Sequence, residues 1–320
     1  MSEKKTECRP RLNRRSMLVI LTSAAGSVGR MKAETLSLMK EMEVRYDITI
    51  FTRHDQIHRS WRGGRVLARA PISGPSISPD GRAMCWCLMD PLQELRDNPF
   101  LTVDSLNGGI RPIHLVGKIA VGLSICSGAM TIVAHAQSLD VPQDRSLFVL
   151  DLRDGLKVSN VSRSVTTFDL RDEEGLSISG AGTLAAIGSR EQMQVLELPS
   201  GNPVYSGVGR FPRLSPDGRN LAFIRGERLY LRTLFESSEI QLLGGKRVMG
   251  IGGWSPDGRF LLAGAWTKLL AFEKRQIVID TRTGRFAELG RLGEGDYGNL
   301  SRWISKGLMA QSSGGISGKC

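Results

Sequence analysis

The chain has 320 residues, of which 41% are hydrophobic, and a formal net charge of +11. That apolar share suffices for a continuous core, and no run approaches the ~18–20 uninterrupted apolar residues of a membrane-spanning helix. The 37 glycines reflect many turns rather than low complexity, and the positive charge suits nucleic acid, anionic lipid or acidic protein without choosing among them.

Residues 1–30 read as a basic tail. Arg14-Arg15 precede a charge-free run from Ser16 to Gly29, apolar over Met17 to Leu21 and then rich in small residues. This order is that of an export signal, and the paired arginines suggest the twin-arginine type, although Met17 stands where a larger aromatic is usual. The structural alternative is a blade strand followed by a short helix from about Lys32 to Glu43, where Leu36, Met39 and Met42 recur at helical spacing. A third reading, strand–loop–helix–strand over Met17 to Thr52, would place phosphate at a helix start. Its loop, Ala25-Gly26-Ser27-Val28-Gly29, matches neither the dinucleotide fingerprint nor the lysine-bearing phosphate loop. The compartment is left open between cytoplasm and export, and residues 31–320 are expected to form a single domain.

The densest basic stretch follows. Arg53, His58, Arg59, Trp61, Arg62 and Arg65 combine guanidinium groups with an indole, a set that can hold phosphate and stack a base. The plainer reading is a solvated loop between strands whose tryptophan caps the core. No nucleic-acid module accompanies it, so the partner is left as an unknown protein or other macromolecule, with an anionic one or a nucleic acid kept open.

Ser-Pro-Asp-Gly-Arg then occurs at Ser78 to Arg82, Ser215 to Arg219 and Ser255 to Arg259, each between short apolar runs. Proline presets the first central turn position, aspartate bonds the backbone ahead of it, and glycine takes the left-handed conformation. Asp80, Gly81, Asp217, Gly218, Asp257 and Gly258 therefore carry turn chemistry between antiparallel strands. Degenerate copies stand at Ser124 to Met130, Ser177 to Ala185 and, more weakly, Ser301 to Leu308. The turns begin near positions 78, 126, 179, 215, 255 and 305, a spacing of roughly 36 to 53 residues that fits four-stranded blades.

Between these turns lies a second hairpin signal: Ser146 to Leu152 before Arg153-Asp154-Gly155, Gln192 to Leu198 before Pro199-Ser200-Gly201, and Gln276 to Asp280 before Thr281-Arg282-Thr283-Gly284. Phe100 to Val103 before Asn107-Gly108-Gly109 fills the same slot. Each unit reads as four antiparallel strands. The fold class is all-β: a β-propeller of four-stranded blades, six favoured and seven with a divergent N-terminal blade, with a short N-terminal helix. The first and last strands are expected to share one composite blade, Met17 to Leu21 and Asp47 to Thr52 closing against strands from Asn299 to Gln311. Such closure leaves no free sheet edge between the chain ends.

These residues resemble the TolB-type, WD-like β-propeller repeat over about Ala70 to Leu308, and are also similar to blades of prolyl oligopeptidase-type peptidases. The resemblance implies a propeller whose relatives are mostly binding or assembly modules. No Gly-x-Ser-x-Gly or His-Glu-x-x-His motif is present, and the chain has no room for the hydrolase domain of those peptidases.

Cys85 and Cys87 point to one face of a strand and cannot easily bridge each other, Cys126 sits in a degenerate turn, and no zinc set is completed, so buried free thiols are expected. His114 and His135, both placed on strands, read as structural or surface histidines rather than ligands. No cofactor or metal is suggested. The function expected is a non-catalytic interaction module or scaffold; the alternative is a lactonase- or lyase-like enzyme with its site at the central channel. Any function is expected where the copies differ, at Cys126-Ser127, at Gly180-Ala181 and in the basic loop before the first intact copy.

Overall fold

The computed structural model describes residues 46–50, 72–80, 83–88, 101–105, 109–115, 117–141, 143–153, 155–161, 173–266, 274–291 and 301–305. The export segment or N-terminal helix, Met17 to Leu21, the candidate anion-binding residues Arg53, His58, Arg59, Trp61, Arg62 and Arg65, and Gly81 lie outside them. No helix among the described residues is long and apolar enough to cross a membrane.

Strand β1 (Tyr46–Ile50) is followed by five antiparallel sheets of four strands, each built from consecutive chain. Blade 1 holds β2 (Ile72–Ile77), β3 (Ala83–Leu88), β4 (Leu101–Ser105) and β5 (Gly109–Ile113). Blade 2 holds β6 (Lys118–Ile125), β7 (Thr131–Ser138), β8 (Arg145–Asp151) and β9 (Lys157–Asn160). Blade 3 holds β10 (Glu173–Ile178), β11 (Leu184–Ser189), β12 (Gln192–Glu197) and β13 (Pro203–Val208). Blade 4 holds β14 (Arg210–Leu214), β15 (Asn220–Arg225), β16 (Arg228–Thr233) and β17 (Glu239–Gln241). Blade 5 holds β18 (Val248–Trp254), β19 (Phe260–Trp266), β20 (Lys274–Asp280) and β21 (Phe286–Arg291). β22 (Ser301–Ser305) then returns to pair with β1, Tyr46 opposite Ser305 and Ile50 opposite Ser301. The composite blade is thus formed by strands from both parts of the chain.

First strands of successive blades pack side by side, β2 on β6, β6 on β10, β10 on β14, β14 on β18 and β18 on β22. β22 therefore holds the inner position of the sixth sheet, with β1 as its second strand. The second strands read as nearly unbroken apolar runs because both of their faces are covered. In β7, Ile132, Ala134 and Ala136 enter the core shared with blade 1, while Val133 enters the one shared with blade 3. Blades 3 and 4 meet over Ala186, Val195, Leu221 and Phe223, and blades 4 and 5 over Ile224, Ile251, Leu261 and Ile277. Phe223 and Phe260 are fully enclosed, each contributing about 2–3 kcal/mol by burial. The outer strands face solvent; every residue of β9 is exposed.

Candidate functional site

One turn design joins the first two strands of blades 1 to 5. The residue that opens it is Ser78, Cys126, Ser179, Ser215 and Ser255 in turn. Its N–H donates to the carbonyl five residues on, at 2.7–2.9 Å in each blade. Its side chain accepts the N–H of that same later residue, at 2.8–3.1 Å, from Ala83, Thr131, Leu184, Asn220 and Phe260. A polar atom buried at the turn base thus satisfies an otherwise orphaned donor. In the three intact copies the serine hydroxyl also donates to the aspartate Oδ1 of Asp80, Asp217 and Asp257, at 2.5–2.6 Å. Asp217 and Asp257 accept the backbone N–H of Arg219 and Arg259, and Gly218 and Gly258 take φ of 73° and 69°. Cys126 stands in the serine's place: its thiol donates to the Ser127 carbonyl while Sγ accepts the Thr131 N–H.

The degenerate copies differ for a packing reason. Gly128 N–H donates to Asp80 Oδ2 at 3.1 Å, Ser127 N–H to the Gly180 carbonyl at 3.0 Å, and Gly180 N–H to the Pro216 carbonyl at 2.7 Å. Adjacent turns of blades 2, 3 and 4 are tied main chain to main chain, blade 1 joins them through the Asp80 carboxylate, and a Cβ on Gly180 would lie 2.6 Å from the Pro216 oxygen. Gly180, in the proline's place, thus makes a turn-to-turn bond that a proline, having no N–H, does not make.

Inside this turn ring the inner strands enclose a narrow cavity of about 80 Å³. Two residues before each turn opener, Ser76, Ser124, Ser177, Arg213 and Gly253 line it at equivalent positions. The Arg213 guanidinium donates to the carbonyls of Pro212 (2.9 Å) and Leu176 (3.3 Å). Its main chain is fixed from both sides, Leu214 N–H donating to Ser177 Oγ (3.0 Å) and Trp254 Nε1 to the Arg213 carbonyl (2.9 Å). The arrangement offers one oriented cation and hydroxyls, which suits an anionic or carbonyl-bearing group entering from the ring. Sequence reading missed Arg213. The signal was available in the alternation Ser76-Ile77-Ser78, Ser124-Ile125-Cys126 and Ser177-Ile178-Ser179, which puts the residue two before each turn on the channel side.

The motif arginine gains a role in blade 5, where Arg259 Nε and Nη2 donate to Asp280 Oδ2 at 3.1 and 2.8 Å. Burial opposes ionisation of Asp280, but Arg259 and the Arg282 N–H outweigh it and hold its carboxyl below the usual range. At the equivalent place in blade 2, Asp151 pairs with Arg153 instead, whose hydrogen bonds lower its pKa to about 2. His114 follows β5 and is exposed, a correction to its placement on a strand; it lies at the hairpin's end, where β5 stops at Ile113. His135 is buried on β7, Cys85 and Cys126 are free and buried, and burial pushes the Cys85 thiol well up. Among the described residues, no three His, Cys, Asp or Glu side chains gather as a metal set would.

No protein-family model matches the sequence, and no curated protein matches it. Among solved structures, TolB from Acinetobacter baumannii aligns at a TM-score of 0.51 and 14% identity, over 74% of this chain and 58% of that one. This chain therefore spans less than two thirds of the Acinetobacter protein. A structure from Agrobacterium tumefaciens that carries the TolB name aligns at 0.51 and 15% identity, over 82% and 98% of the two chains. At such identities the likeness is one of fold, and it agrees with the blades, the inner-strand ring and the turn chemistry. The chain has the fold of a TolB-like β-propeller.

Proposed function

We propose that this propeller is a non-catalytic interaction module that receives a protein or other macromolecule on its turn face, over the mouth of the channel. The observation that supports this most is the arc of turns of blades 1 to 4, in which hydrogen bonds between neighbouring turns preorganise a rim and so lower the entropy cost of docking. Beneath the rim, Arg213 presents a guanidinium to a partner group that reaches inward. The lactonase- or lyase-like alternative calls for acids or histidines meeting at the axis; the described inner strands bring serines and an arginine there.

Photo-crosslinking residues placed at Asp217 and Asp257 test the reading, with Ile240 on the outer strand β17 as the control. The turn-face positions should capture the same partner in independent preparations from the native host, and Arg213→Ala should weaken that capture. Labelling confined to Ile240, or turnover of a small substrate abolished by Arg213→Ala without any captured partner, overturns it.

A further inference from the structure

We infer that the face opposite the turns, across blades 3 to 5, is a second docking surface, built for an acidic peptide segment of a protein partner. Four connections meet there: the hairpin at Arg190-Glu191, the single-residue link Gly209, the hairpin at Gly226-Glu227 and the loop 242–247. They form one backbone-bonded arc. Gly209 N–H donates to the Glu191 carbonyl (2.7 Å), Val248 N–H to the Glu227 carbonyl (2.8 Å) and Leu242 N–H to the Leu229 carbonyl (2.9 Å). Trp266 N–H continues the arc by donating to the Arg247 carbonyl (2.9 Å).

The arc carries Arg190, Arg210, Arg225, Arg228, Lys246 and Arg247. β20 and β21 add Lys274, Arg275 and Arg291 at this end of blade 5, β10 adds Glu173 and Glu174 at this end of blade 3, and four further carboxylates stand on or against the arc. Glu227 receives a two-pronged bond from Arg247, Nε to Oε2 at 2.7 Å and Nη2 to Oε1 at 2.6 Å, while Arg225 pairs with Glu239 and Lys246 lies 4.0 Å from Glu288. The fourth, Glu191, is exposed. The bond from Arg247 and the fields of Arg210 and Arg228 draw the Glu227 carboxyl below its usual range, one acid among three guanidinium groups. Nη1 of Arg228 is buried with no hydrogen-bond partner among the described residues, beside the exposed Gly244-Gly245 stretch. The turn face of the same blades has the opposite balance, with Arg219, Arg259, Arg282 and Arg285 against Glu197, Asp217, Glu236, Asp257 and Asp280.

Rigid, spaced guanidinium forks match carboxylates held at intervals. Glu191 and Glu227 interrupt the positive track that a continuous phosphate backbone follows. An exposed aromatic that could stack a base, Phe235, stands at the turn end of blade 4 and not on this arc. These features select an acidic peptide over nucleic acid or a lipid surface.

The test measures binding of a fluorescein-labelled Glu-Gly repeat peptide to the full chain by anisotropy. Arg210→Gln with Arg228→Gln should weaken binding by about tenfold, and added salt should weaken it further. Arg219→Gln with Arg285→Gln on the turn face should leave it within about twofold, with circular dichroism melts showing each variant folded. Equal loss from both pairs, or no loss from the arc pair, overturns the inference. So does tighter binding of a DNA duplex or of phosphatidylserine vesicles that the arc pair abolishes. This surface is separate from the turn face, so its failure leaves the turn-face reading standing, and the crosslinking test fails independently of it.

Discussion

Gly180 touches the neighbouring turn so closely that any side chain must displace the Pro216 carbonyl, which is itself the acceptor of the Gly180 N–H. Gly180→Ala should cost about 1–3 kcal/mol of stability in chemical denaturation, through overpacking and loss of that bond. Asp280 makes a different prediction, about pH. Its folded pKa lies below the ordinary 3.8, so between the two values the unfolded chain binds more protons. The stability it contributes is full above pH 3.8 and is lost as pH falls through the folded value. Asp280→Asn should lower stability at pH 7 by about 3 kcal/mol, because Arg259 loses its partner, and should flatten the acid limb of a melting-temperature profile. An unchanged acid limb would assign the acid sensitivity to other carboxylates.

The turn is the element that repeats, and its opener can be exchanged between blades as an experiment. Ser255→Ala leaves the buried Phe260 N–H without its side-chain acceptor and should cost about 1–3 kcal/mol. Cys126→Ser introduces the residue that four other blades use at that place, and should leave the melting temperature unchanged or raise it. Both are read by thermal denaturation. These turns were legible in the sequence because proline, aspartate and glycine each act within five residues of chain, and the hairpins at Gly155, Gly201 and Gly284 have equally local causes. The arc of bonds between the turns of blades 1 to 4 was not, since the partners of Asp80 and Gly180 lie in other blades. Arg213 escaped notice for a related reason: its place in the channel depends on five strands converging, and the single arginine breaks the serine pattern that marks the position.

At the scale of the whole molecule, the pairing of β1 with β22 sets how blades share their stability. Ile48 lies opposite Trp303 in the middle of that ladder. Ile48→Pro removes an N–H donor there and should lower and broaden the thermal transition, since the sheet next to blade 5 loses its second strand. A melt superimposable on that of the parent chain would show that the two-stranded sheet adds nothing to cooperativity. The same pairing also governs how the protein is made. Each four-stranded blade closes over a short stretch of chain and can form as that stretch leaves the ribosome, but β1 is synthesised early and its partner late, with all five blades between them. Until β22 is made, β1 has no ladder partner, and its unpaired N–H and C=O groups are of the kind that recruit wrong partners. Completion of the ring needs Ser301–Ser305, so a chain stalled before Ser301 lacks the strand that pairs with β1.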